Sequence, residues 1–190
     1  MTICRVSLIA AMVMAARVSW GATGTLTVFD DADQNGFDHN ASTYAIGMSL
    51  QQSVVHSGTT AAVVSMQNFN AASWQAPTTY STASDYDGIS FWLFDGLSSG
   101  TQDLALLLYN TDNVIVGKID LAVAYGAPLP YATWINVRIP LNNLPNPQNV
   151  PDPTLFNNIV IRTYSGSGNN YFFIDDVALI GADIFKNGFE

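Results

Sequence analysis

The chain has 190 residues, 48% hydrophobic and only 11% charged, with 15 acidic against 6 basic side chains and a net charge of −9. A surface of that sign repels nucleic acid and anionic membranes, so neither is an expected partner. One cysteine, Cys4, excludes a disulfide framework within the chain.

The first segment, MTICRVSLIAAMVMAARVSWGATG, places Arg5 ahead of an apolar run at residues 6–16, with the small residues Gly21 and Ala22 behind it. This is the pattern of a secretory signal peptide cleaved after Gly21, and it predicts an exported protein, secreted or periplasmic. The run is too short to span a bilayer, which takes about 20 residues. Loss of residues 1–21 removes Arg5, Arg17 and Cys4 but no acid, so the mature charge moves to −11.

Strand patterns follow in chain order at residues 25–31, 43–55, 59–67, 86–96, 103–110, 114–123, 134–141, 157–165 and 171–181. Turn chemistry separates them: Ser57-Gly58, Asp95-Gly96, Thr111-Asp112-Asn113 and the Ser-Gly repeat at 165–168. No window carries a helical apolar stripe, and Thr, Ser, Asn and Gly abound. These features predict an all-β fold, an antiparallel sandwich of jelly-roll type, formed by one domain over residues 25–181. The four prolines of residues 144–156 are followed at once by another strand pattern, so that stretch is expected to be a rigid loop inside the domain.

The order of several segments carries a resemblance: VFDDADQNGFDH, VVHSGTTAAVVS, YDGISFWLFDG, WINVRIPLNNL and NNIVIRTYSGSGNNYFFIDDVALIG. Together they resemble the galactose-binding-like jelly rolls that serve as non-catalytic carbohydrate-binding modules of secreted bacterial proteins. Relatives of this kind often have Trp in the N-terminal turn, where this chain has Phe37, and further aromatics where it has His39 and Tyr44. The resemblance also implies a structural calcium, held by Asp175 with Asp30 or Asp31 and by main-chain carbonyls near residues 57–59. Such a mixture of carboxylates and carbonyls suits calcium. Zinc is disfavoured, because the mature chain has only His39 and His56 and no cysteine.

The residues themselves raise the same question at FFIDDVALIG, residues 172–181. Strict alternation puts Asp175 on one face with Phe173, Val177 and Leu179, and leaves Asp176 to the other face and water. A carboxylate among three large hydrophobes needs compensation, either a cation or hydrogen bonds from backbone amides and hydroxyls. DADQNGFD, residues 31–38, matches the first half of an EF-hand loop, but Ser42 stands where the bidentate Glu belongs, so an EF-hand is not expected.

Sugars expose apolar C–H faces that stack on aromatic rings, so a binding surface needs rings directed outward. Alternation in ISFWLF, LALLLYN and IVIRTY groups Trp92, Tyr109, Arg162 and Tyr164 on one sheet surface, with Asn110 and Asp112 at its edge. Coverage of Trp92 and Phe94 by a loop or second layer is the competing reading. Trp74 and Tyr80, in NFNAASWQAPTTY, are expected on a loop as a second contact, Trp134 in the core, and His39 and His56 as polar turn residues.

Catalysis finds little support. Glu190 is the one glutamate, no carboxylate pair has evident acid and nucleophile roles, and no nucleophile elbow or phosphate loop is present. The expected function is a secreted, non-enzymatic protein that binds a poly- or oligosaccharide through an aromatic sheet face, with calcium as a structural cofactor. The alternative is a surface or matrix interaction protein using the same fold without sugar. Trp92 and Tyr109 open to solvent favour the first, and their burial favours the second. The tail ADIFKNGFE, residues 182–190, resembles a short ending of many secreted bacterial proteins, a sorting signal or a docked turn.

Overall fold

A computed structural model describes residues 24–96, 103–142, 144–164 and 167–181, the side chains of 167–169 excepted. The leader and the tail expected from the sequence both lie outside these residues. Eleven strands and one short helix are described: β1 Thr25–Asp30, β2 Ala32–Asp33, β3 Met48–Gln51, β4 Ala61–Gln67, β5 Ala71–Ser81, β6 Gly88–Asp95, β7 Leu104–Tyr109, β8 Ile115–Asp120, α1 Leu121–Tyr125, β9 Trp134–Pro140, β10 Leu155–Thr163 and β11 Ser167–Ile180. They form two antiparallel sheets, a jelly-roll sandwich as expected. In the larger sheet β11 is central: β4 and β1 pair with successive parts of one side, β6 with the other, and β3, β2 and β9 lie beyond them. The smaller sheet runs β5-β10-β7-β8.

Alternation builds the core between the sheets. Ala62, Val64 and Met66, Phe91 and Leu93, Val137 and Ile139 face Trp74, Leu104, Leu106, Leu108, Ile159 and Ile161, and all of them are buried in one cluster. Each large aliphatic or aromatic side chain so enclosed contributes about 1.5–3 kcal/mol.

Two departures from the sequence reading have clear causes. The segment around Trp74 is not a loop but the strand β5, whose alternation is written in small residues: Ala72, Trp74 and Ala76 point inward, Ala71, Ser73 and Gln75 outward. β5 is an edge strand, which is why it accommodates Pro77. Conversely, only Met48–Gln51 of the pattern at 43–55 is a strand. Residues 38–47 instead run across the outer face of the smaller sheet, held by isolated bridges at Asp38 to Gln75 and Ile46 to Ala71.

The proline-rich stretch blunts an edge. Lys118 N–H donates to the Pro145 carbonyl at 3.0 Å and Ile115 N–H to Gln148 Oε1 at 2.6 Å, so this loop covers the free side of β8. The motif at residues 31–38 contains a two-residue turn, with Asn35 at φ 52° and Gly36 at φ 80° and Phe37 N–H bonded to the Gln34 carbonyl at 2.9 Å. Asn-Gly with both φ positive is the residue pair such a turn favours.

Candidate functional site

Each sheet carries a second aromatic layer on its outer face, and the residues grouped by the sequence divide between them. Trp92 belongs to the larger sheet, while Tyr109 and Arg162 belong to the smaller one and Tyr164 directly follows its strand β10. The single four-residue surface expected from alternation therefore does not exist: alternation gives the face within each strand, not which sheet the strand joins.

On the larger sheet, pairing aligns Phe173 with Phe94 and Phe94 with Trp134, a row of three rings across β11, β6 and β9. Their centroids are 5.6 and 5.5 Å apart at 82° and 60°, so they pack edge to face and present no common flat surface. Trp134, expected in the core, is half-buried in this outer row. In the adjacent row Asp175 lies opposite Trp92. His56 stacks on the Trp92 indole at 3.7 Å and 15°, placing a roof on that ring.

The roof is fastened by the acids that seemed to spoil β11. Its register with β6 shifts between Asp175 and Ala178, and Asp176 has φ 50°: a β-bulge interrupts the strand. The bulge reverses the alternation, so Val177 and Leu179 enter the core while Phe173 and Asp175 stay on the outer face. Asp175, fully buried, accepts from the amides of His56 (3.0 Å), Ser57 (3.3 Å) and Asp176 (2.9 Å). Burial raises its pKa and the His56 and Ser57 amides pull it back down. Asp176 is no bystander in water. The His56 ring Nδ1 donates to one of its oxygens and the Ser57 hydroxyl to the other, each at 2.8 Å. Asp31 accepts from the amides of Thr59 (2.5 Å) and Thr60 (2.6 Å), which lower its pKa. A side chain at Gly58, φ 62°, would collide with the Asp31 carboxylate, so glycine is required at this turn.

These contacts bear on calcium. The loop turns N–H donors to Asp175 and Asp31, which occupy carboxylate oxygens that a cation would need, and N–H dipoles aimed at a site disfavour positive charge there. Asp30 is exposed. The donor set therefore does not suit calcium shared by Asp30, Asp31 and Asp175, and backbone amides supply the compensation that Asp175 requires. Among the described residues a closer grouping of metal-capable side chains is Asp33, Asp38 and His39, where His39 Nδ1 donates to Asp33 at 2.7 Å.

On the smaller sheet Ala71, Ala105, Leu107, Tyr109 and Val160 form a buried outer layer. Residues 38–47 roof part of it. Ser73 donates to Ser42 Oγ (2.6 Å), which donates to Asn158 Oδ1 (3.0 Å), and Tyr44 stacks on Tyr109 at 4.1 Å. Tyr109 is only 5% exposed, so it is not an open sugar platform. Burial raises its pKa while Arg162, whose Nη1 donates to its hydroxyl at 3.0 Å, opposes the rise. Trp74 and Tyr80 are corrected too: Trp74 is 0% exposed in the core, and Tyr80, on β5, packs among Phe37, Tyr86 and Phe156.

The roof stops short of Tyr164. There the face opens into a groove of about 360 Å³ lined by Asp103, Leu104, Lys118, Asp120, Val123 and Tyr164. The Lys118 ammonium lies 4.5 Å above the Tyr164 ring and 3.8 Å from Asp120, and Phe69, 52% exposed, meets the ring edge at 6.0 Å. The sequence pattern alone does not single out Lys118, Asp120, Asp103 or Phe69. The signal for the first two was present: across the turn at Asn110–Asn113, β8 pairs with β7 so that Lys118 and Asp120 lie opposite the outward Leu107 and Ala105.

No family model matches the chain, and no curated protein matches it. Solved structures do. A family 30 carbohydrate-binding module of a cellulosomal cellulase of Clostridium thermocellum aligns over 84% of this chain and 98% of its own, at 13% identity and TM-score 0.54. Variants of a family 29 module, one complexed with mannohexaose and one with cellulohexaose, each align over 82% of this chain and 89% of their own at TM-score 0.51, with 14% and 15% identity respectively. The chain thus has the β-sandwich fold of carbohydrate-binding modules.

Proposed function

We propose that this chain is an exported, non-catalytic protein that binds a poly- or oligosaccharide in the groove over Tyr164. The observation that carries the reading is a half-buried ring in the lining of an open groove, flanked by an ammonium and two carboxylates. An ammonium over the ring identifies that face as accessible to positively polarised groups, and the C–H bonds of a sugar are such groups. Lys118 yields the position at little cost, since its contact with Asp120 is long and exposed. Asp103 and Asp120 are suited to accept sugar hydroxyls. The shared fold supports the reading, as does the binding of mannohexaose and cellulohexaose by the family 29 modules.

Two carboxylates in one groove also suggest a glycosidase, but a general acid needs burial to keep its proton near neutral pH. The Asp120 side chain is 63% exposed, which favours hydroxyl recognition. The reading as an interaction protein without sugar draws on the covered Trp92 and Tyr109 and on Tyr131 and Tyr171, 53% and 45% exposed. A screen against soluble polysaccharides and glycans tests the proposal: binding that Tyr164→Ala weakens about ten-fold, a loss matching one stacking contact, is expected. Binding to no glycan would leave the interaction reading standing. Release of reducing ends would overturn the non-catalytic part.

A further inference from the structure

Arg162 makes one hydrogen bond among the described residues, Nη1 to the Tyr109 hydroxyl, and its Nε is buried without a partner. The ion pairs seen among those residues include His39 with Asp33, His56 with Asp176, and Lys118 with Asp120, and no carboxylate of the described residues lies within 4.0 Å of this guanidinium. In a chain of net charge −9 that is an unexpected place for an unpaired cation. The group is also held in place: it lies 5.7 Å from the Tyr44 ring centroid and 5.8 Å from that of Tyr109. Guanidinium presents five N–H groups in a planar fork that matches a carboxylate; with Nε buried and one Nη1 N–H given to Tyr109, three on the terminal nitrogens remain for a ligand.

Arg162, on β10, and Tyr164, one residue past its end, both pack on the outer side of the smaller sheet beside Tyr109, and two residues of chain span at most about 7 Å. A disaccharide covers that span. We infer that the ligand of this face is an oligosaccharide containing uronic acid, its carboxylate held by Arg162 and the neighbouring ring lying on Tyr164. The inference rests on the sugar-binding reading and names its substrate class. Asp103 and Asp120, in the groove lining, repel a carboxylate and accept hydroxyls, and the Lys118 ammonium there is already paired with Asp120, so the charged group belongs on the side of Tyr164 toward Arg162, which stands outside that lining. The same two acids disfavour polymers with an anion on every side of each ring.

The test titrates the full chain with oligogalacturonate and a glucuronate-containing oligosaccharide, their methyl esters, and neutral cello- and manno-oligosaccharides. Esterification removes the charge and leaves the ring, so the free acids should bind at least about ten-fold tighter than the esters, and less so as salt rises. Arg162→Gln should reduce that preference to about two-fold or less while ester binding persists. Arg162→Lys, which keeps the charge and loses the fork, should retain part of it, and thermal melts of both variants report whether the Tyr44 and Tyr109 packing survives. Equal affinity for acid and ester, or a preference that survives Arg162→Gln in a folded variant, overturns the inference. Binding of the neutral sugars alone overturns it and leaves sugar binding intact. Binding of none removes the reading on which it rests.

Discussion

The two outer faces of the sandwich are built from similar materials and finished differently. Each has aromatic side chains over a sheet and an N-terminal segment laid across them. On the larger sheet the segment is fastened by carboxylates accepting backbone amides, a charge-assisted arrangement, and its His56 seals Trp92. On the smaller sheet a chain of neutral hydroxyl and amide bonds through Ser42 fastens the roof, which ends at Tyr44 and leaves Tyr164 at the edge of a groove. The face richer in rings is thus the one locked edge to face, and the face with fewer rings has an open one beside charged groups. Counting aromatics does not locate a binding surface; exposure and the polar groups around a ring do.

The fastening of the larger face is open to direct attack. Asp175→Ala leaves the amides of His56, Ser57 and Asp176 without their acceptor, and a loss of about 3 kcal/mol in urea unfolding is expected, with a red-shifted tryptophan emission as Trp92 loses its cover. A loss below about 1 kcal/mol would show that the carboxylate does not hold the roof. Asp95, at the end of β6, gives a smaller, pH-dependent effect. Burial raises its pKa from 3.8 to about 7, and its Oδ1 has no partner among the described residues. The folded protein then binds this proton more tightly than the unfolded chain, so stability falls as pH rises between those two values and levels off above them. Asp95→Asn should stabilise the protein on the order of 1–2 kcal/mol or more at pH 8, less at pH 5, and change little near pH 3, where both states largely carry the proton. A variant equally destabilised at all three pH values contradicts the assignment. The smallest effect expected is that of calcium: added to chelator-treated protein it should leave the melting temperature unchanged, because amides already compensate Asp175. A calcium-dependent rise lost in Asp175→Ala would restore the cation.

Much of the fold was legible in the sequence because strand alternation and turn residues are local signals. Ile89, Phe91 and Leu93 face the core as their spacing requires, and so do Leu104, Leu106 and Leu108. Legibility failed where a non-local event intervened. The bulge at Asp175–Asp176 reverses the face of every residue after it, and nothing in FFIDDVALIG announces that Asp176 adopts a positive φ. Trp74 reads as a loop residue because its strand is spelled in alanine and serine, with Pro77 tolerated at an edge. The site is half legible: alternation finds Arg162 and Tyr164 but groups Trp92 with them, although its strand belongs to the other sheet. Lys118 and Asp120 required the β7–β8 pairing to be known.

The central claim is that Tyr164, not Trp92, is the sugar-contacting ring. Titrating one bound glycan against the wild type, Tyr164→Ala and Trp92→Ala, with melting curves for all three, tests it most directly. About ten-fold weaker binding by Tyr164→Ala at near-wild-type stability is expected, together with unchanged binding by Trp92→Ala at reduced stability. Weakened binding in Trp92→Ala with Tyr164→Ala unaffected would contradict the account and move the site to the larger sheet.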